Sequence, residues 1–201
     1  MRVTIVFSLT LFGLLLLGSC GTVLAQENDI GYSRIDPSSP LYFLKTIREG
    51  LEMNFALTPR TKLLRQLEFA TRRLREARTL ISKNADLIPP TMERYSSYLN
   101  SLPQKNITDS EVALRIKESS AIHLDTLYQM YSQVSAPGAK IAIRAAINRI
   151  IQRTDLPPLT KLPACSFLSH EASASGLNQT ERFVLAQRAQ SCFESLGLNR
   201  F

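Results

Sequence analysis

Two apolar seams at heptad spacing constrain the fold of this chain more than any other feature. In the first seam, apolar side chains recur at steps of three and four residues over about five helical turns. Its members are Leu63, Leu67, Ala70, Leu74, Ala77 and Ile81. Thr58 precedes Pro59, a helix cap followed by a proline in the first turn, so the pattern predicts a helix from Pro59 to Lys83. A seam of this kind packs along a partner helix and therefore favours a fold of paired helices.

The second seam matches the first in length and period. Its members are Ala113, Ile116, Ser120, Leu124, Leu127, Tyr131 and Val134. The run Thr108-Asp109-Ser110-Glu111 is a capping-box pattern in which Glu111 would reach back to the cap, and the helix should continue to about Ser135. Two helices of equal length and period predict an antiparallel pair, with Ala85–Ile107 as the connection.

An amphipathic helix is predicted ahead of the first seam. Ser39 can cap it and Pro40 can occupy its first turn. Apolar side chains then recur at steps of three and four, which places them on one face. They are Leu41, Leu44, Ile47, Leu51 and Phe55.

Two further helices complete the predicted main domain, residues 39–154. Ile88 precedes two prolines and should leave the helical region, so a short helix is expected only from Thr91 to Leu102. The fifth helix, Ala139–Arg153, carries five isoleucines on a wide apolar face. Because strand-like alternation is missing, the sequence predicts an all-α fold. The expected architecture is a bundle of long antiparallel helices with a small C-terminal helical hairpin.

The hairpin is predicted at residues 164–201, after a proline-rich linker at residues 155–163. Its arms should be Ala164–Ser173 and Gln179–Leu196, with Gly176 in the turn and a cap signal at Asn178 and Glu181. Cys165 and Cys192 can form a disulfide that closes a loop of about 28 residues, for about 3.5 kcal/mol of stability in the chain-entropy model. The alternative is a pair of buried free thiols.

The N-terminal residues 1–25 read as a signal segment. Arg2 is followed by an apolar stretch from Val3 to Leu17, which is shorter than the roughly 20 residues that a membrane-spanning helix needs. Two processing sites compete: Cys20 as the lipidated residue of a lipoprotein, and cleavage after Ala25 by ordinary signal peptidase; retention of the segment as an anchor is the third alternative. The predicted location is therefore outside the cytoplasm, on the outer face of the cytoplasmic membrane or released. Polar residues 26–38 should form a flexible spacer.

A resemblance to a known family covers residues 36–85. The motifs are S-P-L-Y-F-L-K at 39–45, then Glu49 and Phe55, then L-x-F-A-x-R-R-L-x-E-A at 67–77. They resemble a family of exported bacterial helical domains whose function is not established. The resemblance implies an extracytoplasmic setting, membrane-tethered or secreted, and it implies no catalytic residues.

Basic side chains dominate the first seam helix. The segment from Arg60 to Lys83 contains eight basic residues and only two acidic ones, Glu68 and Glu76, so its net charge is +6. The net charge of the whole chain is +7. The candidate residues for binding an anion or a partner are Arg65, Arg72, Arg73, Arg75, Arg78, Arg144 and Arg149. Expected partners are lipid headgroups, an anionic wall polymer or another envelope protein. The alternative is a solvated face that keeps the domain soluble. Nucleic acid would fit the charge but not the predicted compartment, and no base-reading aromatic pattern accompanies the arginines, so it is not an expected partner.

No sequence motif indicates catalysis, a metal or a cofactor. His123 lies beside the second seam and His170 follows Cys165 by five residues, and both are expected to be ordinary surface or partly buried residues. The predicted function is non-enzymatic binding or scaffolding in the cell envelope through amphipathic helices and a basic face. A periplasmic-type chaperone is a close alternative, and an enzyme with a dispersed site is the alternative of another class. Because the seams could also pair between copies, a homo-oligomer is a further possibility.

Overall fold

The computed structural model describes residues 30–174 and 177–198. Within these ranges it contains seven α-helices and no strand, so the predicted all-α fold is confirmed. The helices are α1 (Tyr42–Asn54), α2 (Pro59–Lys83), α3 (Ile88–Ser101), α4 (Ser110–Gln133), α5 (Pro137–Ile151), α6 (Pro158–Ala172) and α7 (Gln179–Glu194). Helices α2 to α5 form a bundle, α1 packs along α2 and also contacts Arg94 of α3 through Tyr42, and α6 and α7 pair as a C-terminal hairpin.

Both predicted seams lie in the core of the bundle. Leu74 of α2 and Leu127 of α4 are fully buried, and Ile143 of α5 packs in the same cluster. Helix α2 has the bounds that the sequence predicts, because the Thr58 hydroxyl accepts a hydrogen bond from the amide of Thr61 at 3.1 Å. Period and capping chemistry therefore place these helices correctly.

Helices α2 and α4 run in the same direction, so the predicted antiparallel pairing is wrong. Arg60 at the start of α2 forms ion pairs with Asp109 and Glu111 at the start of α4. About three turns further along α2, Thr71 lies 2.9 Å from His123 of α4. The linker of residues 102–109 crosses the bundle, which places α4 against α2 and α5. The antiparallel neighbour of α2 is α3, which follows it after a single 3-10 turn at residues 85–87.

The start of α4 also differs from the predicted capping box. The Asp109 carboxylate accepts hydrogen bonds from the amides of Glu111 and Val112, each at 3.1 Å. The Glu111 carboxylate pairs instead with Arg60 and with Arg115. Asp109 caps this helix in preference to Thr108 because its ionised carboxylate accepts hydrogen bonds from two amides of the first turn.

Helix α3 begins at Ile88 rather than at Thr91. Ile88 has helical dihedral angles (φ −65°, ψ −48°), and its side chain is fully buried. Packing therefore outweighs the extended preference of a residue that precedes proline. Pro89 and Pro90 fall in the first helical turn, where their missing amide hydrogens cost no helical bond.

A buried arginine closes the far end of α3. Arg153, only 2% exposed, donates hydrogen bonds to the carbonyl of Pro103 at 3.2 Å and to Asp155 at 2.7 Å. It also approaches the carbonyls of Leu99 and Leu102, each at 3.5 Å. The last carbonyls of a helix have no partner within the helix, so this cation satisfies acceptors that burial would otherwise leave unpaired.

The C-terminal hairpin is longer than predicted because α6 begins at Pro158, inside the expected linker of residues 155–163. Pro158 occupies the first helical position, which tolerates proline. Pro163 removes one hydrogen bond from the following turn, and the carbonyl left without it belongs to Leu159, an exposed residue that water can reach.

A disulfide joins the two helices of the hairpin. The Cys165 and Cys192 sulfur atoms are 2.02 Å apart, with 5.5 Å between their Cα atoms, as the sequence predicts. The capping box of Asn178 and Glu181 is also confirmed. The ring of Phe167 packs against Tyr131 of α4, with centroids 4.9 Å apart, so the hairpin lies directly on the bundle.

The segment before α1 is pinned along α2 from residue 30 onward, so residues 30–38 do not form the predicted flexible spacer. The Arg75 side chain donates a hydrogen bond to the carbonyl of Ile30. The Ser33 amide donates to the Thr79 hydroxyl at 2.8 Å, and Lys83 pairs with buried Asp36 at 2.7 Å. This path carries the chain to one end of α2, where it turns and returns as α1.

Candidate docking surface

Helix α1 presents its apolar side to solvent. An amphipathic helix on a globular protein ordinarily turns that side toward the core. Here the side chains at Leu44, Ile47 and Leu51 are between 51% and 57% exposed, and Phe55 is 77% exposed. We call the whole set the α1 apolar face: Leu41, Phe43, Leu44, Ile47, Leu51, Phe55 and Leu57. A contiguous exposed patch of this kind marks a binding surface, whereas single exposed apolar residues do not.

The side of α1 that contacts α2 is polar and charged. Lys45 lies 2.5 Å from Glu76 of α2, and the Tyr42 hydroxyl donates a hydrogen bond to the same carboxylate at 3.0 Å. One turn further along α1, Glu49 forms an ion pair with Arg73. We call these residues the α1–α2 ion network: Tyr42, Lys45, Glu49, Arg72, Arg73 and Glu76. This network explains the orientation of α1, because the charged side chains of α1 have their ionic partners on α2, and these contacts hold the polar side of α1 inward.

Glu76 and Arg73 form the centre of the network. Both are buried, and Arg73 donates hydrogen bonds to the two Glu76 oxygens at 2.6 and 2.7 Å. Burial lowers the pKa of Lys45, although its bond to Glu76 acts in the opposite direction. Burial and the adjacent Glu76 charge raise the pKa of Tyr42, so this hydroxyl remains a donor. Each buried charge therefore has an opposite charge in contact, the condition under which burial is tolerated.

Two of the predicted basic residues of α2 pair with acids of α1 as well as with an acid of α2 itself. Arg72 contacts Glu52 of α1 at 2.9 Å and Glu68 of its own helix at 2.5 Å. Arg65 pairs with Glu68 at 2.5 Å and approaches Glu52 at 3.9 Å. The +6 charge counted along α2 alone is thus reduced by carboxylates from the neighbouring helix.

The remaining predicted basic residues are dispersed. Arg75 binds the carbonyl of Ile30, and Arg78 lies over the ring of Tyr32 at 4.5 Å. Arg144 is mostly buried on α5 and lies 3.7 Å from Glu171 of the hairpin. Arg149 is exposed on α5, beside a groove of about 380 Å³ between α3 and α5. The structure does not gather these arginines into one surface.

His123 is fully buried between α2, α3 and α4. Thr71 donates its hydroxyl to the Leu67 carbonyl at 3.0 Å, so the 2.9 Å contact with His123 assigns the imidazole proton to Nε2. The Tyr95 hydroxyl then donates to His123 Nδ1 at 3.3 Å. Burial, with a smaller contribution from the charge of Arg75, lowers the pKa of His123 to about 3. His123 is therefore a neutral link between three helices, a more buried position than the sequence suggests.

Concave features of the structure are modest. A cavity of about 420 Å³ lies behind α1, and the charged residues that line it include Glu49 and Arg73 of the ion network. A groove of about 680 Å³ runs along the hairpin beside Phe183 and Phe193. Across residues 30–174 and 177–198, no three His, Cys, Asp or Glu side chains are grouped as metal ligands would be.

The predicted signal segment, Cys20 and the cleavage site after Ala25 lie outside the described residues, as does Gly176 of the hairpin turn. No helix in the described part of the chain has both the length and the apolar character needed to cross a membrane.

The fold and this surface define a helical bundle that carries an amphipathic helix with its apolar side outward. Residues 34–136 match a family model described as a domain of unknown function, DUF5667, and the chain belongs to that family. The match is longer than the resemblance seen at residues 36–85, and it includes α1, α2 and the whole ion network. Neither the curated proteins nor the solved structures contain a significant match to the chain.

Proposed function

We propose that the chain is a non-enzymatic docking module of the cell envelope, and that the α1 apolar face is its docking surface. The proposal rests on seven large apolar side chains that are more than half exposed along and beside one helix. Exposed apolar area on this scale is unfavourable in water unless a partner covers it. The disulfide and the apolar N-terminal segment support an extracytoplasmic setting, where disulfides persist.

A photo-cross-linking amino acid at Ile47, introduced into the full chain in the cells that produce it, tests this proposal. We expect an adduct at Ile47 because the α1 apolar face is occupied in the cell. The matched control is Ile141 on α5, which is 50% exposed and lies outside that face. A single adduct at Ile47 and none at Ile141 is the expected result. Adducts to many unrelated proteins would favour the chaperone alternative. Equal yields at both positions, or no adduct at Ile47, would contradict a docking role for α1.

A further inference from the structure

We propose that the partner of the α1 apolar face is an anionic lipid bilayer, on which α1 lies with its axis in the plane of the membrane. This inference rests on the docking role proposed above and adds the chemistry of the partner. It follows from the shape of the face, from the position of one arginine within it, and from the place where the described chain begins.

The α1 apolar face has the form of an interfacial helix. Its central residues, Leu44, Ile47 and Leu51, follow one side of a helix of 13 residues, which is about 20 Å long. Helices of this kind bury an apolar side to a shallow depth in the headgroup region of a bilayer. Because the ion network already holds α1 in helical form, binding to the membrane carries no cost of folding the segment.

Arg48 favours an anionic bilayer over a second copy of the chain. It is the middle residue of α1, its side chain is 61% exposed, and its Nε lies 3.1 Å from the carboxylate of Glu52, four residues later. It lies four residues after Leu44 and three before Leu51, which places it on the same side of the helix. A two-fold axis through the centre of this face would bring the two Arg48 side chains together. On a bilayer, the same guanidinium can extend to a phosphate while its aliphatic part stays among the acyl chains.

The start of the described chain also places α1 close to a membrane-directed segment. Ile30, the first described residue, is bound by Arg75 on the side of α2 that also carries α1. Ile30 lies ten positions after Cys20, a span of at most about 35 Å when extended. A lipid on Cys20, or an apolar segment retained at the N-terminus, would hold α1 within reach of the bilayer surface. The chain's net charge of +7 would also attract it to an anionic bilayer.

The test uses the full chain carrying Cys20→Ser, with an environment-sensitive NBD fluorophore on Ile47→Cys or, as the control, on Ile141→Cys. The vesicles contain phosphatidylglycerol and phosphatidylcholine in equal parts, or phosphatidylcholine alone. We expect the emission at position 47, and not at 141, to shift to the blue and to be quenched by acyl-chain quenchers. Because the readout is local, binding through the N-terminal segment alone would not produce it.

Charge reversal at the centre of the face gives the second arm of the test. Arg48→Glu is expected to weaken binding to the anionic vesicles by roughly tenfold. Arg115→Glu is the matched control, because Arg115 is 58% exposed and has a similar i,i+4 ion pair, on α4. The two variants have the same net charge, so a larger loss for Arg48→Glu locates the contact at α1.

Each remaining outcome has a defined meaning. If position 47 shows no shift on anionic vesicles, or if both arginine variants bind equally, the lipid inference fails. A shift without vesicles that grows with protein concentration would identify a second copy as the occupant. A protein adduct at Ile47 in cells, together with no response to vesicles, would overturn the lipid inference and leave the docking function standing. Failure of the cellular cross-link and of the vesicle response together would overturn both.

Discussion

Replacing Glu76 by alanine is expected to lower the free energy of unfolding by about 3 to 5 kcal/mol, because it leaves buried cations without their counter-charge. Arg73 and Lys45 both contact the Glu76 carboxylate and lie in the interior between α1 and α2. The loss should be measured by urea denaturation at neutral pH. Hydrogen exchange in α1 should also accelerate, since the same carboxylate holds Tyr42 and Lys45 of that helix.

Glu111→Ala is the control for this prediction. Glu111 also carries ion pairs, to Arg60 and Arg115, but it is about half exposed. Because solvent and salt screen exposed ion pairs, such pairs contribute little to stability, and this variant should remain close to the parent. If Glu76→Ala and Glu111→Ala destabilise the protein equally, the ion network does not hold α1 in the way described above.

Acidification from pH 6.5 to pH 4.5 is expected to reduce the free energy of unfolding by roughly 1 kcal/mol per pH unit through His123 alone. Burial lowers the pKa of His123 from its ordinary value of 6.5 to about 3. Between these values the unfolded chain binds a proton that the folded chain does not, so lowering the pH favours unfolding. Stability from the neutral imidazole is fully present above pH 6.5 and is lost progressively as the pH falls toward 3, a total loss of several kcal/mol.

Two variants isolate this contribution. His123→Gln cannot titrate, so its stability should fall much less steeply than that of the parent between pH 6.5 and 4.5, whatever its stability at neutral pH. The small remaining slope belongs to paired carboxylates such as Glu68, whose pKa is lowered, against the effect of burial, by Arg72 and Arg65. His170→Gln changes the exposed histidine of α6 and should keep the slope of the parent. A parent slope that survives in His123→Gln would contradict a neutral, buried imidazole between Thr71 and Tyr95.

Periodicity alone identified the two seams, and it did so for a physical reason. Leu74 and Leu127 belong to repeats that only a helix can place on one side, and burial of that side is strongly favourable. The relative direction of α2 and α4 was not predictable in this way. It depends on the path of the linker at residues 102–109 across the bundle, and an apolar seam packs equally well in either direction.

The orientation of α1 was also beyond the sequence pattern. The spacing of Leu44, Ile47 and Leu51 indicates that one side of the helix is apolar, but it does not indicate which side faces the protein. That choice depends on a second helix, because Glu49 and Lys45 find their partners, Arg73 and Glu76, on α2. For the same reason, the charge of α2 could not be evaluated from α2 alone. Arg153 gave no signal in the sequence, because only the folded chain brings it to the end of α3.

Cysteine labelling of the lipid-free protein at low concentration shows whether the α1 apolar face is turned outward. Leu51→Cys lies on that face, whereas Ala56→Cys lies two residues beyond α1 at a position that is only 4% exposed. Both are made in the full chain with Cys20→Ser and with the native disulfide intact. We expect rapid maleimide labelling at position 51 and slow labelling at position 56. Protection of position 51 to the same degree as position 56 would mean that the apolar side of α1 faces the protein, and would overturn the assignment of this face as a docking surface.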